Sequence, residues 1–269
     1  TVPANEKRAA VTECADGWVM ENQYLRCVIN RQGEVISVKK PGSEVEYLAG
    51  AGNRLLMFKD VNTCYDAWEI GSMYENVPVP LSGEADITVL DTPEGAALEV
   101  RRTVGSSPLK QTILLAHGAK RLDFITEIDW QERHKLLKCA FPVNTYTTEA
   151  IHEIQFGCVK RPTHRSRQLH KDQYEVCNHR YTALWDGGAG AAVLNDSKYG
   201  VSTHGGEIRL TLLRAPMMPD MEADRGLQRF TYSFLPIDAL HEAVREGYRL
   251  NEAPILSGGE SIPIFLPQV

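Results

Sequence analysis

The sequence predicts an all-β fold, a large antiparallel β-sandwich with one C-terminal helix. Three observations carry that expectation. Most of the chain alternates apolar and polar residues with period two, Gly/Pro/Asn turn signals punctuate the runs, and only one stretch has helical spacing. The clearest alternation places Leu122, Phe124, Thr126, Ile128 and Trp130 on one face, with Asp123, Glu127 and Asp129 on the other. Ile208, Leu210 and Leu212 repeat the pattern, as do Phe230, Tyr232 and Phe234 against Arg229, Thr231 and Ser233. Further strands are expected in YLRCVI, EVISV, RLLMF, DITVL, ALEVRRTV, KQTILLA and YEVC. Turns separate them at Gln32-Gly33, Pro41-Gly42, Gly50 to Asn53, Pro93 to Gly95, Gly187-Gly188 and Gly205-Gly206. The helix is expected after Asp238 as its N-cap, with Leu240, Val244 and Tyr248 at i, i+4 and i+8 and Gly247 weakening the last turn. The βαβ alternation of an α/β protein is missing. Two sheets packed face to face bury such alternating residues most economically.

Composition sets the outer limits. The chain has 269 residues, 43% of them hydrophobic, and a formal charge of -6. Surface scaling at this mass buries about three quarters of the unfolded surface, ample for a core. The apolar stretch Gly188 to Leu194 is far short of the roughly 20 residues of a membrane-spanning helix. The N-terminus TVPANEKRAA carries no secretory or presequence pattern. No membrane association and no nucleic-acid partner are expected: the net charge opposes polyanion binding. One basic run, residues 160–180, holds Lys160, Arg161, Arg165, Arg167, Lys171 and Arg180 against Asp172 and Glu175. It lacks the interleaved aromatics of a single-strand binder and reads as a solvated, irregular loop.

The six cysteines, at 14, 27, 64, 139, 158 and 177, form no CxxC, so neither a zinc ribbon nor a thioredoxin-like site is supported. Cys27, Cys139 and Cys158 lie among apolar strand residues as small hydrophobes, and a reducing, cytoplasmic setting fits them.

Chemistry is sparse. There is no P-loop, no GxGxxG, no HExxH and no GxSxG. His170-Lys171-Asp172 gives one HxD without further ligands, where a catalytic zinc needs at least three. Glycoside hydrolysis requires a carboxylate pair, and 35 Asp and Glu nominate no particular one. Two blocks concentrate functional groups. NTCYDAWEI sets Asp66 and Trp68 on one face of an expected strand, near Asn62 and Tyr65. LNDSKYG gathers Asn195, Asp196, Ser197, Lys198 and Tyr199 directly after the apolar AAVL. Five such groups at a strand end make either a site or a hydrogen-bonded turn. A lone Trp such as Trp68 is either a core residue or a sugar platform.

In order along the chain, the stretches ENQYLRCVINRQGEVISV, GNRLLMFKD, YDAWEI, HKLLKCAFPVN, EIQFGCVKRPTH, LNDSKYG, HGGEIRLTLLRAP, EADRG and RFTYSFLP resemble a known family. It is the C-terminal β-domain of glycoside hydrolase family 38 α-mannosidases, in their cytosolic and bacterial branch. The likeness runs from about Glu21 to Asn251. It implies a galactose-mutarotase-like supersandwich, the accessory domain of a retaining exo-α-mannosidase acting on mannose-containing oligosaccharides. In that family a separate N-terminal barrel carries the Asp nucleophile, the acid carboxylate and a divalent ion, usually zinc. A helical bundle follows, and both would be partners within one polypeptide. The resemblance therefore implies no catalytic residue and no metal in this chain, and it treats the chain as an excised domain. Residues 1–20 would be a leader or linker, 21–251 the sandwich, and 252–269 the start of a further segment.

The site residues the resemblance implies are few. An aromatic of the YDAWEI block reaches the catalytic pocket in some relatives, which points to Trp68 with Asp66 beside it. The end of RLTLLRAP points to Arg214. LNDSKYG departs from those relatives, so Asn195, Asp196, Lys198 and Tyr199 are pocket candidates by position only. A stand-alone carbohydrate-binding module and an aldose-epimerase-like enzyme are the alternatives. The first would need exposed aromatics, and Trp18, Trp130 and Trp185 read as core-facing or turn-bound.

Overall fold

A computed structural model describes residues 8–62 and 65–252, together with the backbone of 256–257 and 260–261. The strands are β1 Ala10–Cys14, β2 Gly17–Glu21, β3 Arg26–Asn30, β4 Val35–Lys39, β5 Arg54–Lys59, β6 Pro78–Val79 and β7 Asp86–Thr92. They continue as β8 Gly95–Val104, β9 Ser107–Ala116, β10 Leu122–Trp130, β11 Lys135–Pro142, β12 Glu149–Ile154, β13 Gly157–Pro162 and β14 Val176–Cys177. The remainder are β15 Tyr181–Trp185, β16 Gly190–Asn195, β17 Gly200–His204, β18 Glu207–Arg214, β19 Gly226–Ile237, β20 Leu256–Ser257 and β21 Glu260–Ser261. Two helices complete the set, α1 Gln168–Asp172 and α2 Leu240–Asn251.

All pairings are antiparallel. A nine-stranded sheet runs β13-β12-β15-β16-β19-β10-β9-β8-β7, and a six-stranded sheet runs β14-β17-β18-β11-β5-β6. Their facing sides share one apolar cluster, to which the four-stranded sheet β1-β2-β3-β4 adds Met20, Cys27, Ile29 and Val38. The expected alternation supplies this core. Leu122, Phe124, Ile128 and Trp130 are buried from β10, Phe230, Tyr232 and Phe234 from β19, and Ile208, Leu210 and Leu212 from β18. Stacking adds to the burial, with Phe124 on Tyr232 at 5.1 Å and Phe141 on Phe234 at 5.3 Å between ring centroids. A second cluster seats α2 on the outer side of the nine-stranded sheet through Leu240, Ala243 and Val244. The antiparallel sandwich with a C-terminal helix is the fold the sequence predicted.

Local expectations are corrected at four places. Residues 10–21 fall largely in the expected leader, yet they form β1 and β2, and β2 pairs with β3 from Gly17↔Asn30 to Glu21↔Arg26. Asp238 does not cap α2: the cap residue is Ala239, and the Glu242 carboxylate accepts the Asp238 and Ala239 amides at 2.9 and 3.4 Å. Asp238 instead pairs with Lys40. The basic run 160–180 contains β14 and α1 rather than irregular loop alone, and its Arg165 and Arg180 pair with Glu75 and Glu153. The YDAWEI block is a turn, not a strand, because Tyr65 takes a left-handed backbone (φ 52°) that breaks any ladder. The expectation for residues 252–269 falls almost wholly outside the described residues, as does Cys64. Of the described cysteines, 14, 27, 139, 158 and 177 are free thiols. No helix among the described residues is long and apolar enough to cross a membrane.

Candidate functional site: a rim at one end of the six-stranded sheet

Strand register brings the candidate residues to a single edge. Lys59 at the end of β5 faces Lys135 at the start of β11, and Leu136 faces Arg214 at the end of β18. Val201 pairs with Leu210, which carries the preceding turn 195–199 toward the same end. The segments after β5, before β11, before β17 and after β18 therefore form one rim.

The rim is organised around Arg214. Its Nε donates to Asp60 Oδ2 at 2.7 Å, and one terminal NH2 donates to the carbonyls of Asp66 and Glu69 at 2.6 and 2.7 Å. The side chain is 14% exposed against 1% for Asp60, so this is a buried pair. Burial outweighs the pull of Arg214 and lifts the Asp60 carboxyl above its ordinary pKa. These contacts turn Arg214 inward to pin Asp60 and the 66–69 turn, leaving its Nε and that NH2 engaged by the protein itself.

Asp66 adds a second pin. Its two carboxylate oxygens accept the Met217 and Met218 amides, each at 2.8 Å, and His134 Nδ1 lies 3.3 Å from Oδ2. Burial acts to raise this carboxyl, but the two amide donors and His134 prevail and hold it below the usual carboxylate range. Ala67 donates back to the Met218 carbonyl at 3.2 Å. The segment 65–69 is thus tied to 214–218 by backbone and side chain together.

What these pins hold out is Trp68. It is 73% exposed and stacks on Tyr65 at 5.1 Å and 22°, and its amide closes the turn onto the Tyr65 carbonyl at 2.9 Å. The core alternative for Trp68 is removed. Trp130, by contrast, is fully buried, and Trp18 and Trp185 pack against the apolar clusters. Val61, Met73, Met218 and Met221 are also exposed, and a cleft of about 220 Å³ opens between Lys59, Asp60, Val61, Gly71, Met73, Tyr74 and Val77.

The other block closes on itself. Asn195 is buried, donates to Asn178 Oδ1 and the His179 carbonyl at 3.0 and 2.7 Å, and accepts the Lys198 amide at 2.8 Å. Asp196 accepts the Thr231 amide and the Ser197 hydroxyl, both at 2.8 Å. Lys198 lies 4.5 Å from the centre of the Phe230 ring, and burial pulls its pKa down against Asp224 and Asp196. Tyr199 is exposed and leans on His179 at 5.7 Å. Of the two readings of LNDSKYG, the geometry is that of a hydrogen-bonded turn, from which Lys198 and Tyr199 reach the rim. Asp224, which also accepts the Arg214 amide at 3.1 Å, links the two blocks.

Sequence reasoning missed Asp60, His134 and Asp224, which lie far apart in the chain and meet only through register. It also missed Lys138, fully buried in the apolar run LLKCAF, where it pairs with Glu175 and lies 5.4 Å from the Tyr74 ring. That cluster anchors the continuation of the rim segment through Tyr74 and Glu75, the latter bound by Arg165 and Arg209. No described group of three or more His, Cys, Asp or Glu converges as a metal site. His170 and Asp172 are engaged with Ser166 and Gln168.

A sandwich with this rim belongs to a known class. Residues 20–222 match the glycosyl hydrolases family 38 C-terminal domain, and the chain is a member of that family. It is 35% identical to human alpha-mannosidase 2C1 over 232 residues, and 36% identical to alpha-mannosidase G of Dictyostelium discoideum over 246. These alignments take in 84% and 87% of this chain but 22% of each relative, so the chain spans about a fifth of their length. A solved family 38 glycosyl hydrolase from Enterococcus faecalis shares the fold at a TM-score of 0.71 and 14% identity, over 86% of this chain and 32% of that one.

Proposed function

We propose that the chain acts as the accessory β-domain of a zinc-dependent, retaining exo-α-mannosidase that trims terminal α-mannosides from oligosaccharides in the cytoplasm. Family membership supports this reading, and one observation carries it: the Tyr65–Trp68 pair, exposed to solvent yet fixed by Arg214 and Asp66. An exo-acting glycosidase must hold a single terminal ring against its reacting groups. A stacked aromatic edge covers the apolar face of a pyranose and excludes water from it.

In this reading a barrel and helical bundle of the same polypeptide meet the rim and supply the nucleophile, the acid and the divalent ion. The described residues of this chain offer no donor set that fits a metal, and its part in the reaction is to orient the ring and keep water out. Arg214 and Asp66 are positioning residues and act through Trp68.

The test is kinetic. In the longer enzyme, Trp68→Ala is expected to lower kcat/KM for an aryl α-mannoside by about 10 to 100-fold, which is ~1.4–2.7 kcal/mol of transition-state stabilisation. The 269-residue chain alone is expected to show no turnover, with or without added zinc. Turnover by this chain that vanishes on mutating one of its own carboxylates would overturn the reading.

A further inference from the structure

The inward face of β8 is apolar by alternation, with Leu98, Val100 and Val104 buried in the central cluster. Arg102 takes the inward position between Val100 and Val104, opposite the buried Leu109 of β9. A guanidinium therefore stands where the period-two pattern demands an aliphatic side chain. One of its NH2 groups donates to the Gln32 carbonyl, while its Nε is buried without an acceptor. Glu34, Tyr232 and Cys139 act on it only through space. Even the adjacent turn is shaped around it. Gly33 has φ 72°, and a Cβ there would stand 2.8 Å from the Arg102 NH2. The residue is half-buried rather than fully solvated and borders open space, and such departures from the local pattern gather where a ligand completes the site.

Arg102 borders a cleft of about 130 Å³, lined also by Glu34, Leu55, Leu81, Ser82 and Glu84. At the roughly 30 Å³ that each water takes up in the liquid, that space holds about four waters, enough to grip one edge of a single ring. The lining is mixed. Arg102 presents a guanidinium, Glu34 a carboxylate that already accepts the Asn30 side-chain amide at 3.0 Å, the exposed Glu84 a second carboxylate, and Leu55 and Leu81 an apolar face. An anion would gain from Arg102 and be repelled by two carboxylates, and a cation would meet the guanidinium. Hydroxyl groups on neighbouring carbons satisfy both demands at once, since each both donates and accepts.

We propose that this cleft binds a neutral polyhydroxylated ligand, a single sugar ring or a sugar alcohol, gripped by Arg102 together with Glu34 and Glu84. The site is independent of the rim: Leu55 is the second residue of β5, and Asp60 follows its far end, roughly 17 Å along the strand.

The experiment is an NMR titration of the 269-residue chain with D-mannose, sorbitol and sodium acetate as separate probes. Saturable amide shifts are expected at residues 32–34 and 81–84 with mannose or sorbitol and not with acetate. Gly83 is an exposed position where an added Cβ meets only Gln32 Cγ, at 3.9 Å, so Gly83→Trp leaves the fold intact and is expected to block the cleft. Arg102→Met is expected to weaken binding by at least about tenfold. Trp68→Ala is expected to leave these shifts unchanged, which separates this site from the rim. Absence of saturable shifts, shifts that persist in Gly83→Trp, or a response to acetate alone would each overturn the proposal.

Discussion

YDAWEI and LNDSKYG are comparably polar blocks at one end of the same sheet, and they spend their polar groups in opposite ways. In LNDSKYG the side chains turn back: Asn195 and Asp196 satisfy the amides and carbonyls of their own turn and its neighbours. In YDAWEI the groups that hold the turn come from elsewhere, namely Arg214 and the Met217 and Met218 amides. The block's own aromatic rings are left in solvent. The first is a structural turn that happens to be polar. The second is a platform, in which buried charge keeps two apolar rings exposed at a fixed place. Hydrogen-bonding capacity alone does not mark a site. What marks it is stabilisation supplied from outside to a surface that solvent would otherwise disfavour.

Breaking the platform should cost the most. Arg214→Leu strands the buried Asp60 carboxylate and frees two carbonyls, and removal of one partner of a buried pair typically costs about 3–5 kcal/mol. Thermal melts should show a fall of about 10 °C. Amide exchange should quicken over 65–69 while the 195–199 turn keeps its protection. Loss of protection in both segments together would mean that Asp224 makes them one unit.

The self-contained turn has a smaller lever. Asn195→Ala removes three hydrogen bonds and leaves Asn178 Oδ1 and the His179 carbonyl without these donors, for a loss of about 2–3 kcal/mol. Here the exchange pattern should invert, with 195–199 opening and 65–69 unaffected. A destabilisation confined below about 0.5 kcal/mol would show that water replaces Asn195 and that the turn is not self-built.

These contrasts also explain how much could be read beforehand. The sandwich was legible because β10, β18 and β19 alternate over eight to twelve residues, and each inward position is met by a partner strand. β1 was not legible, since its pattern is mostly exposed and its place depends on pairing with β2. YDAWEI looked like a strand for its aromatic content. The left-handed Tyr65 and the Arg214 bonds override that propensity, and both are tertiary facts. Trp68 was singled out by its block and Arg214 nominated by resemblance, whereas Asp60, His134 and Asp224 had no local signal. Their proximity is created by register alone.

A pH comparison sharpens the difference further. Asp66 has a folded-state pKa below its ordinary value, so the support it gives is present above the unfolded-state pKa of 3.8 and is lost as pH falls through the lower folded value. Lys198 is also depressed, but as a cation: the unfolded chain binds its proton more tightly. Stability therefore rises with pH between its folded value and the unfolded 10.5. Acid should weaken the platform and alkali should strengthen the turn. Urea melts of Asp66→Asn should lose part of the acid-limb slope, and those of Lys198→Met part of the alkaline one. Equal slopes in wild type and both variants would remove the electrostatic half of the comparison.

The smallest stability effect belongs to the residue with the largest proposed role. Trp68 is 73% exposed, and beyond its stacking on Tyr65 it buries little apolar area. Its amide bond to the Tyr65 carbonyl survives any side-chain change. Trp68→Ala should therefore shift stability by less than about 1 kcal/mol, where a buried Trp would cost roughly 3–5. Tyr65→Ala should behave alike, and the double variant should fall short of additivity by no more than the stacking energy, about 0.5–1.5 kcal/mol. A platform predicts an unchanged melt together with impaired turnover in the longer enzyme. A fall in stability as large as that of Arg214→Leu would instead make Trp68 part of the turn's own support, and the two blocks would then differ only in degree.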